Sequence, residues 1–383
     1  MSKYIHLDII DELKAIVKDH PQLITVILGP RQVGKTTSVL QFLEKYKGES
    51  LYFSSDEELS PQPEWLADKW QLALAKSSEC LLIIDEVQRI PQWSTVIKNL
   101  WDKQKRTKKS QIKLVLLGSS SLQIQKGLSE SLSGRFYLIS TFQWDYKSTK
   151  MLKKLSLEDF IHYGGYPGSY SLLENKSEWE NYIRHSIVET VIGKDILTQA
   201  KVSKPALFRQ SFGILMSYPA QEISYTKLLG QLQDSGNTDL IKYYIELFEG
   251  AYLIKSLHKY SPKSLVTKTS SPKLIPMCGA LINRSVFLSK EGFGRALEAA
   301  VGSALVKCNY DVFYWRDKNY EVDFIIENSE GLLAIEVKSG LVKNPKGLNE
   351  FCKRFKNAIP IFISKENIEQ FLLDPKKYLK KMT

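Results

Sequence analysis

Gly29-Pro30-Arg31-Gln32-Val33-Gly34-Lys35-Thr36-Thr37 decides the fold of this chain. An apolar run, Leu23 to Leu28, precedes it, and a helix-like segment, Thr37 to Tyr46, follows. Strand, loop and helix around G-x-x-x-x-G-K-T form the setting of a phosphate-binding loop. The glycines let backbone N–H groups turn inward around an anion, and the helix N-terminus adds partial positive charge. Gly29, Pro30, Arg31, Gln32, Val33, Gly34, Lys35, Thr36 and Thr37 are the nucleotide-binding candidates. Lys35 is expected to reach the β- and γ-phosphates, and Thr36 to hold Mg²⁺.

Cys80-Leu81-Leu82-Ile83-Ile84-Asp85-Glu86 is an apolar run ending in two carboxylates. Such a run suits a parallel strand buried on both faces. Acids at its C-terminal end fall where open α/β sheets place ligands. Asp85 is the expected Mg²⁺ ligand, and Glu86 the group that polarises an attacking water. A third run, Ile112 to Gly118, ends in Ser119, Ser120 and Ser121. Ser119 or Ser120 could hydrogen-bond the γ-phosphate or the water. Arg135 stands just before the apolar Phe136 to Ile139. There it could reach a neighbouring subunit's nucleotide as an arginine finger.

This order resembles the AAA+ ATPases. More closely, the chain resembles prokaryotic predicted ATPases in which an AAA+ module is joined to a winged helix and a restriction-endonuclease-like C-terminal domain. The carrying residues are GPRQVGKTT (Gly29 to Thr37), IIDEVQRIP (Ile83 to Pro91), LLGSSS (Leu116 to Ser121), SLSGR (Ser131 to Arg135), GGYPG (Gly164 to Gly168), YWRDKNYEVDF (Tyr314 to Phe324) and AIEVKSG (Ala334 to Gly340). One departure is Pro276-Met277-Cys278-Gly279-Ala280-Leu281, where the resemblance implies an aspartate before the glycine.

The implied fold class is α/β: a P-loop AAA+ core at 1–145, a helical lid at 146–205, a winged helix at 206–262, then a linker and nuclease-like α/β domain at 263–383. The 383 residues suffice for several cores. No apolar run reaches the length of a spanning helix, so no membrane is expected. Cys80, Cys278, Cys308 and Cys352 are far apart, which points to a reducing cytoplasm. The net charge of +11 is concentrated in two stretches. Lys98 to Lys113 holds 7 Lys/Arg against 1 acid, and Lys338 to Thr383 holds 11 against 4. Clustered positive charge suits a polyanion such as DNA. In the winged helix, Thr238, Lys242 and Tyr243 are the expected DNA-facing residues.

Glu298 lies on a helix-like segment, Gly294 to Lys307, and Glu321 to Ile326 with Leu332 to Lys338 reads as a hairpin. Alternation puts Asp323 and Ile325 on one face of its first strand. If Ile326 pairs with Leu333, Asp323 lies opposite Glu336, about 5 Å apart at Cβ. Two carboxylates that close require a cation, a shared proton or a lysine between them. This spacing resembles the PD-(D/E)XK nuclease core. The resemblance implies that Asp323 and Glu336 bind Mg²⁺, that Lys338 positions the water and that Glu298 assists. The expected function is an ATP- and Mg²⁺-dependent, homo-oligomeric ATPase acting on DNA, with a hexamer among the candidate ring sizes. The alternatives are an ATP-gated, metal-dependent DNA nuclease and a nucleotide-switched binding protein without motor action.

Overall fold

The computed structural model describes residues 5–107, 111–119, 121–232, 237–261, 270–328, 331–340 and 345–382. The chain divides into two compact units, Met1–Phe142 with Thr190–Ala200, and Gln143–Glu189 with Lys201–Thr383.

In the first unit, β1 (Ile24–Leu28), β2 (Glu49–Ser54), β3 (Cys80–Asp85), β4 (Lys113–Gly118) and β5 (Phe136–Ser140) form one sheet. Its order is β2-β3-β4-β1-β5, and every pairing is parallel. The apolar runs are unbroken because the central strands are covered on both faces. Ile24, Val26, Leu82, Ile84, Leu114 and Leu116 pack with helices Pro63–Lys76, Trp93–Thr107 and Ser121–Ser131. Ile27, Leu81, Ile83, Val115 and Leu117 pack with helices Asp8–Asp19 and Lys35–Lys45. Putting β1 between β4 and β5 brings the C-terminal ends of β1, β3 and β4 to one edge of the sheet. The P-loop, the two acids and Ser119 leave the sheet there. The expected α/β class and parallel core are therefore observed.

The second unit holds two further sheets. Helices Pro205–Leu215, Tyr225–Gln231 and Thr238–Gly250 accompany β6 (Gln221–Glu222), β7 (Ile254–Leu257) and β8 (Lys273–Pro276), antiparallel in the order β6-β8-β7. Ser224 caps the second helix, accepting from the Lys227 N–H at 3.2 Å. The C-terminal sheet comprises β9 (Val312–Asp317), β10 (Tyr320–Asn328), β11 (Gly331–Val337) and β12 (Ala358–Ile363), ordered β12-β11-β10-β9. It is mixed, since β11 and β12 run parallel while the other pairs are antiparallel. Helix Lys290–Lys307 contributes Leu297, Val301 and Leu305 to the same core as Phe324, Ile326, Leu333 and Ile335. Leu348 and Phe351 pack with Val322, Ile325 and Ala334.

Candidate active site

The P-loop conformation follows from its glycines. Gly34 sits at φ 91°, a left-handed backbone that only glycine adopts without strain. A Cβ on Gly29 would stand 1.9 Å from Thr141 Oγ1 and 2.5 Å from Thr141 O. Glycine is thus required where the loop passes the end of β5. Lys35 opens its helix, is buried, and donates from Nζ to Gly29 O at 3.0 Å and Pro30 O at 2.6 Å. Burial pushes its pKa down to about 8, against the pull of Glu86 and Asp85. Thr36 Oγ1 donates to Asp85 Oδ2 at 2.7 Å. A hydroxyl and a carboxylate so close are the hard oxygen donors that Mg²⁺ takes, so the residues fit a Mg²⁺–nucleotide. Tyr52 donates its OH to the same Asp85 oxygen at 2.9 Å. Neither composition nor spacing singles out Tyr52, because it belongs to a half-exposed edge strand.

Glu86 lies just beyond β3 in the left-handed region, φ 53° and ψ 38°. This costs a non-glycine residue roughly 1 kcal/mol. Ser55 Oγ holds the conformation by donating to Glu86 O at 2.7 Å, and the Glu86 N–H donates to Asp85 Oδ1 at 2.8 Å. The Glu86 carboxylate accepts from Ser119 Oγ at 3.0 Å and from the Gln88 amide. Strain and two donors thus aim the carboxylate at the sheet edge that carries Lys35 and Thr36. Ser120 lies outside the described residues.

Arg31 has a partner within the protein. Its guanidinium donates from Nε at 2.7 Å and from Nη2 at 2.6 Å to Asp195, which is buried in the π-helical segment Val191–Ile196 of the same unit. The pair ties residue 31 of the P-loop to that segment. Gln32 takes a left-handed backbone at φ 58°. Arg135 lies at the opposite end of the sheet. Its carbonyl accepts from the Ile24 N–H at the start of β1. The five residues of β1 span about 16 Å, so Arg135 does not reach the P-loop of its own chain. It pairs with Asp102 at 3.0 and 3.1 Å.

The C-terminal constellation assembles. Ile326 pairs with Leu333, the register that sets Asp323 near Glu336. A register shift between Val322 and Ile325 against β9 breaks the expected alternation. Ile325 packs with Val322 and Phe351, while Asp323 turns to Lys273. Lys273 is the residue that sequence reading misses. Its Nζ stands 2.5 Å from Glu298 Oε1, 3.3 Å from Asp323 Oδ1 and 3.6 Å from Glu321 Oε1. Lys338 pairs with Glu336 at 2.7 Å, and Asp323 Oδ2 accepts from the Val337 N–H at 2.8 Å. Burial and the Asp323 charge push Glu298 up to about 8 and Glu336 up to about 7. Burial alone would raise Asp323 as well, but Lys273, Lys338 and the Val337 N–H hold it below its ordinary value. Among the described residues, no group of three or more His, Cys, Asp or Glu side chains converges to hold a metal. Of a cation, a proton or a lysine, the structure places lysines against these carboxylates, Lys273 at Glu298 and Asp323 and Lys338 at Glu336.

The departure at Pro276–Leu281 is a packing element. Cys278 fills the space beside Gly165, and the Ala280 N–H donates to Gly164 O at 3.3 Å. On helix Thr238–Gly250 the exposed positions are Asp239, Lys242 and Glu246, with Lys242 paired to Asp239 at 3.0 Å. That face is not basic. On helix Trp93–Thr107, Lys103, Lys105 and Arg106 are exposed, whereas Lys108 and Lys109 lie outside the described residues. Among the described residues, no helix is long and apolar enough to cross a membrane.

Comparison with known proteins finds family matches along the chain. Residues 21–149 match the family described as AAA domain. Residues 154–278 and 293–374 each match a family described as a domain of unknown function, DUF8612 and DUF4143. An uncharacterized protein of Methanocaldococcus jannaschii is 26% identical over 99% of this chain and 89% of its own length. Among solved structures, the Holliday junction branch migration motor RuvB of Thermotoga maritima is similar at 13% identity and a TM-score of 0.34, covering 67% of this chain and 90% of that one. The Aeropyrum pernix ORC1 protein, solved in complex with DNA, is similar at 9% identity and a TM-score of 0.31, covering 79% and 92%. Likenesses at these scores say nothing about what this chain does. The segment matched to the AAA family contains the P-loop, Asp85, Glu86 and Ser119, and the families matched beyond it are described without an activity.

Proposed function

We propose that the chain is a Mg²⁺-dependent ATP hydrolase that works as a homo-oligomer on DNA in the cytoplasm. The observation that carries the hydrolase reading is the Thr36–Asp85 contact beside a Glu86 carboxylate oriented by Ser119. Lys35 exchanges the Gly29 and Pro30 carbonyls for phosphate oxygens and brings a positive charge to them. Thr36 and Asp85 hold Mg²⁺, with Tyr52 steering the carboxylate. Bound Mg²⁺ neutralises charge on the phosphates. Glu86 orients the attacking water and accepts its proton, while Ser119 and Gln88 keep the carboxylate in place.

The position of Arg135, far from its own P-loop, suits delivery to a neighbour's nucleotide, and exchange of its Asp102 partner for phosphate would accompany assembly. Lys103, Lys105 and Arg106 supply a phosphate-binding surface that helix Thr238–Gly250 does not. No disulfide joins the four cysteines, in keeping with a reducing compartment. The deciding test is the ATPase rate with and without single-stranded, duplex and branched DNA. Mg²⁺-dependent turnover stimulated by at least one of them is expected. Turnover indifferent to all three removes DNA as the partner and favours a nucleotide-switched binding protein. No turnover with Mg²⁺ overturns the hydrolase reading.

A further inference from the structure

We propose that Lys273 is a built-in cation, replacing a divalent metal in the C-terminal carboxylate cluster, so that this domain neither binds Mg²⁺ there nor cleaves DNA through it. The inference is independent of the ATPase reading. Lys273 is fully buried on β8, and its ammonium lies among Glu298, Asp323 and Glu321. It also contacts the Asp323 carbonyl at 3.3 Å and sits over the Phe324 ring.

The charges around it come close to balance. Five carboxylates, Glu222, Glu298, Glu321, Asp323 and Glu336, face four cations, Lys273, Arg295, Arg316 and Lys338, with Arg316 shared between Glu222 and Glu321. A divalent ion added to this set would leave an excess of positive charge beside the buried Lys273. It would also need six or more oxygens at about 2.0–2.6 Å, on the same Glu298 and Asp323 oxygens that Lys273 already holds. The second Asp323 oxygen is taken by the Val337 N–H. Glu336 Oε2 and Glu298 Oε1 are buried oxygens without a hydrogen-bond partner, but the second is already ion-paired with Lys273 at 2.5 Å, and two oxygens fall short of the set a divalent ion needs. Burial would strip the proton from an isolated lysine, yet the carboxylates raise Lys273 above its ordinary value, so the charge stays. The consequence is mechanical. Lys273 ties the sheet that contains β8 to helix Lys290–Lys307 through Glu298 and to β10 through Asp323, where a nuclease would leave a cavity for metal and phosphate.

The test is Mn²⁺ binding by the full-length chain without nucleotide, read by electron paramagnetic resonance of the free ion. Asp85→Asn serves as the control for any ion at the P-loop. Wild type should show no site that Asp323→Asn removes, and supercoiled plasmid should stay intact with Mg²⁺ or Mn²⁺. A Mn²⁺ site or metal-dependent nicking that Asp323→Asn abolishes and Asp85→Asn preserves overturns the proposal. These arms need no change at Lys273 and decide the matter even if its variants fail to fold. Lys273→Ala then supplies the converse. With its counter-charge gone, the cluster should gain a Mn²⁺ site, and Tm should rise by roughly 5 °C at about 100 times the dissociation constant. Both effects should vanish in Lys273→Ala/Asp323→Asn. A folded Lys273→Ala chain that ignores Mn²⁺ contradicts the view that Lys273 stands in for a metal.

Discussion

Cutting the Arg31–Asp195 pair should free the segment Thr190–Ala200 from the P-loop. The Asp195 side chain is 6% exposed and that of Arg31 30%. Two unit charges about 4 Å apart attract by about 4 kcal/mol at an effective dielectric constant of 20. Exposed pairs yield about 0–1 kcal/mol, while breaking fully buried ones costs about 3–5. A pair with one buried and one part-exposed member falls between, so a coupling of about 2 kcal/mol is expected, about 30-fold in an equilibrium constant. The assay is a double-mutant cycle over wild type, Arg31→Ala, Asp195→Ala and the double variant. Amide hydrogen exchange in peptides covering residues 24–38 and 190–200 reads the local opening. Each single variant should open about 30-fold more readily, and the double variant should add little. Because Asp195 is buried, 0.5 M salt should change this only slightly. A coupling below about 0.5 kcal/mol would show that the two segments are held independently and refute the clamp.

Nucleotide binding should also depend on pH through Lys35. Its folded value near 8 lies below the ordinary 10.5, so the free protein loses the ammonium as pH rises through about 8; affinity for a non-hydrolysable ATP analogue should be flat below that and fall by up to about tenfold per unit above it, and an equal slope in Lys35→Arg would contradict this. Gly29→Ala forces a methyl into Thr141 and should abolish analogue binding while costing about 1–3 kcal/mol of stability; wild-type binding would show that the loop relaxes freely. Tyr52→Phe removes one donor to Asp85 and should shift the Mg²⁺ requirement of turnover to higher concentration, by about fivefold for a hydrogen bond of about 1 kcal/mol; an unchanged requirement makes Tyr52 a spectator. Mixing Arg135→Ala with Glu86→Gln protein should restore part of the turnover each lacks, and inactivity at every ratio speaks against a shared site. Charge reversal at Lys103, Lys105 and Arg106 should impair DNA-stimulated turnover more than basal turnover; equal loss in both would show that the changes damage the fold.

The first unit is legible because its information is local. β1, β3 and β4 are near-continuous apolar runs; Asp85 and Ser119 stand at the ends of two of them and the P-loop with Lys35 follows the third, so finding the strands also finds these residues. Asp195 is not legible in this way. It lies 164 residues from Arg31 in a helical pattern that offers no reason to turn back to the P-loop. In the C-terminal cluster, the hairpin register and Glu298 follow from periodicity and resemblance. Lys273 does not, because β8 is four residues long and lies between Pro272 and the closing Pro276, a composition that reads as linker. Its partners are 25 and 50 residues downstream, on two different elements. The bulge that turns Asp323 away from the face of Ile325 is likewise a sheet-level event, set by pairing with β9.

The most direct test of the account is Glu86→Gln, measured for both analogue binding and single-turnover ATP hydrolysis with Mg²⁺. A Glu86 that acts on water rather than on phosphate predicts unchanged binding and turnover lowered by roughly 10²-fold or more. Hydrolysis by Glu86→Gln at the wild-type rate would contradict it.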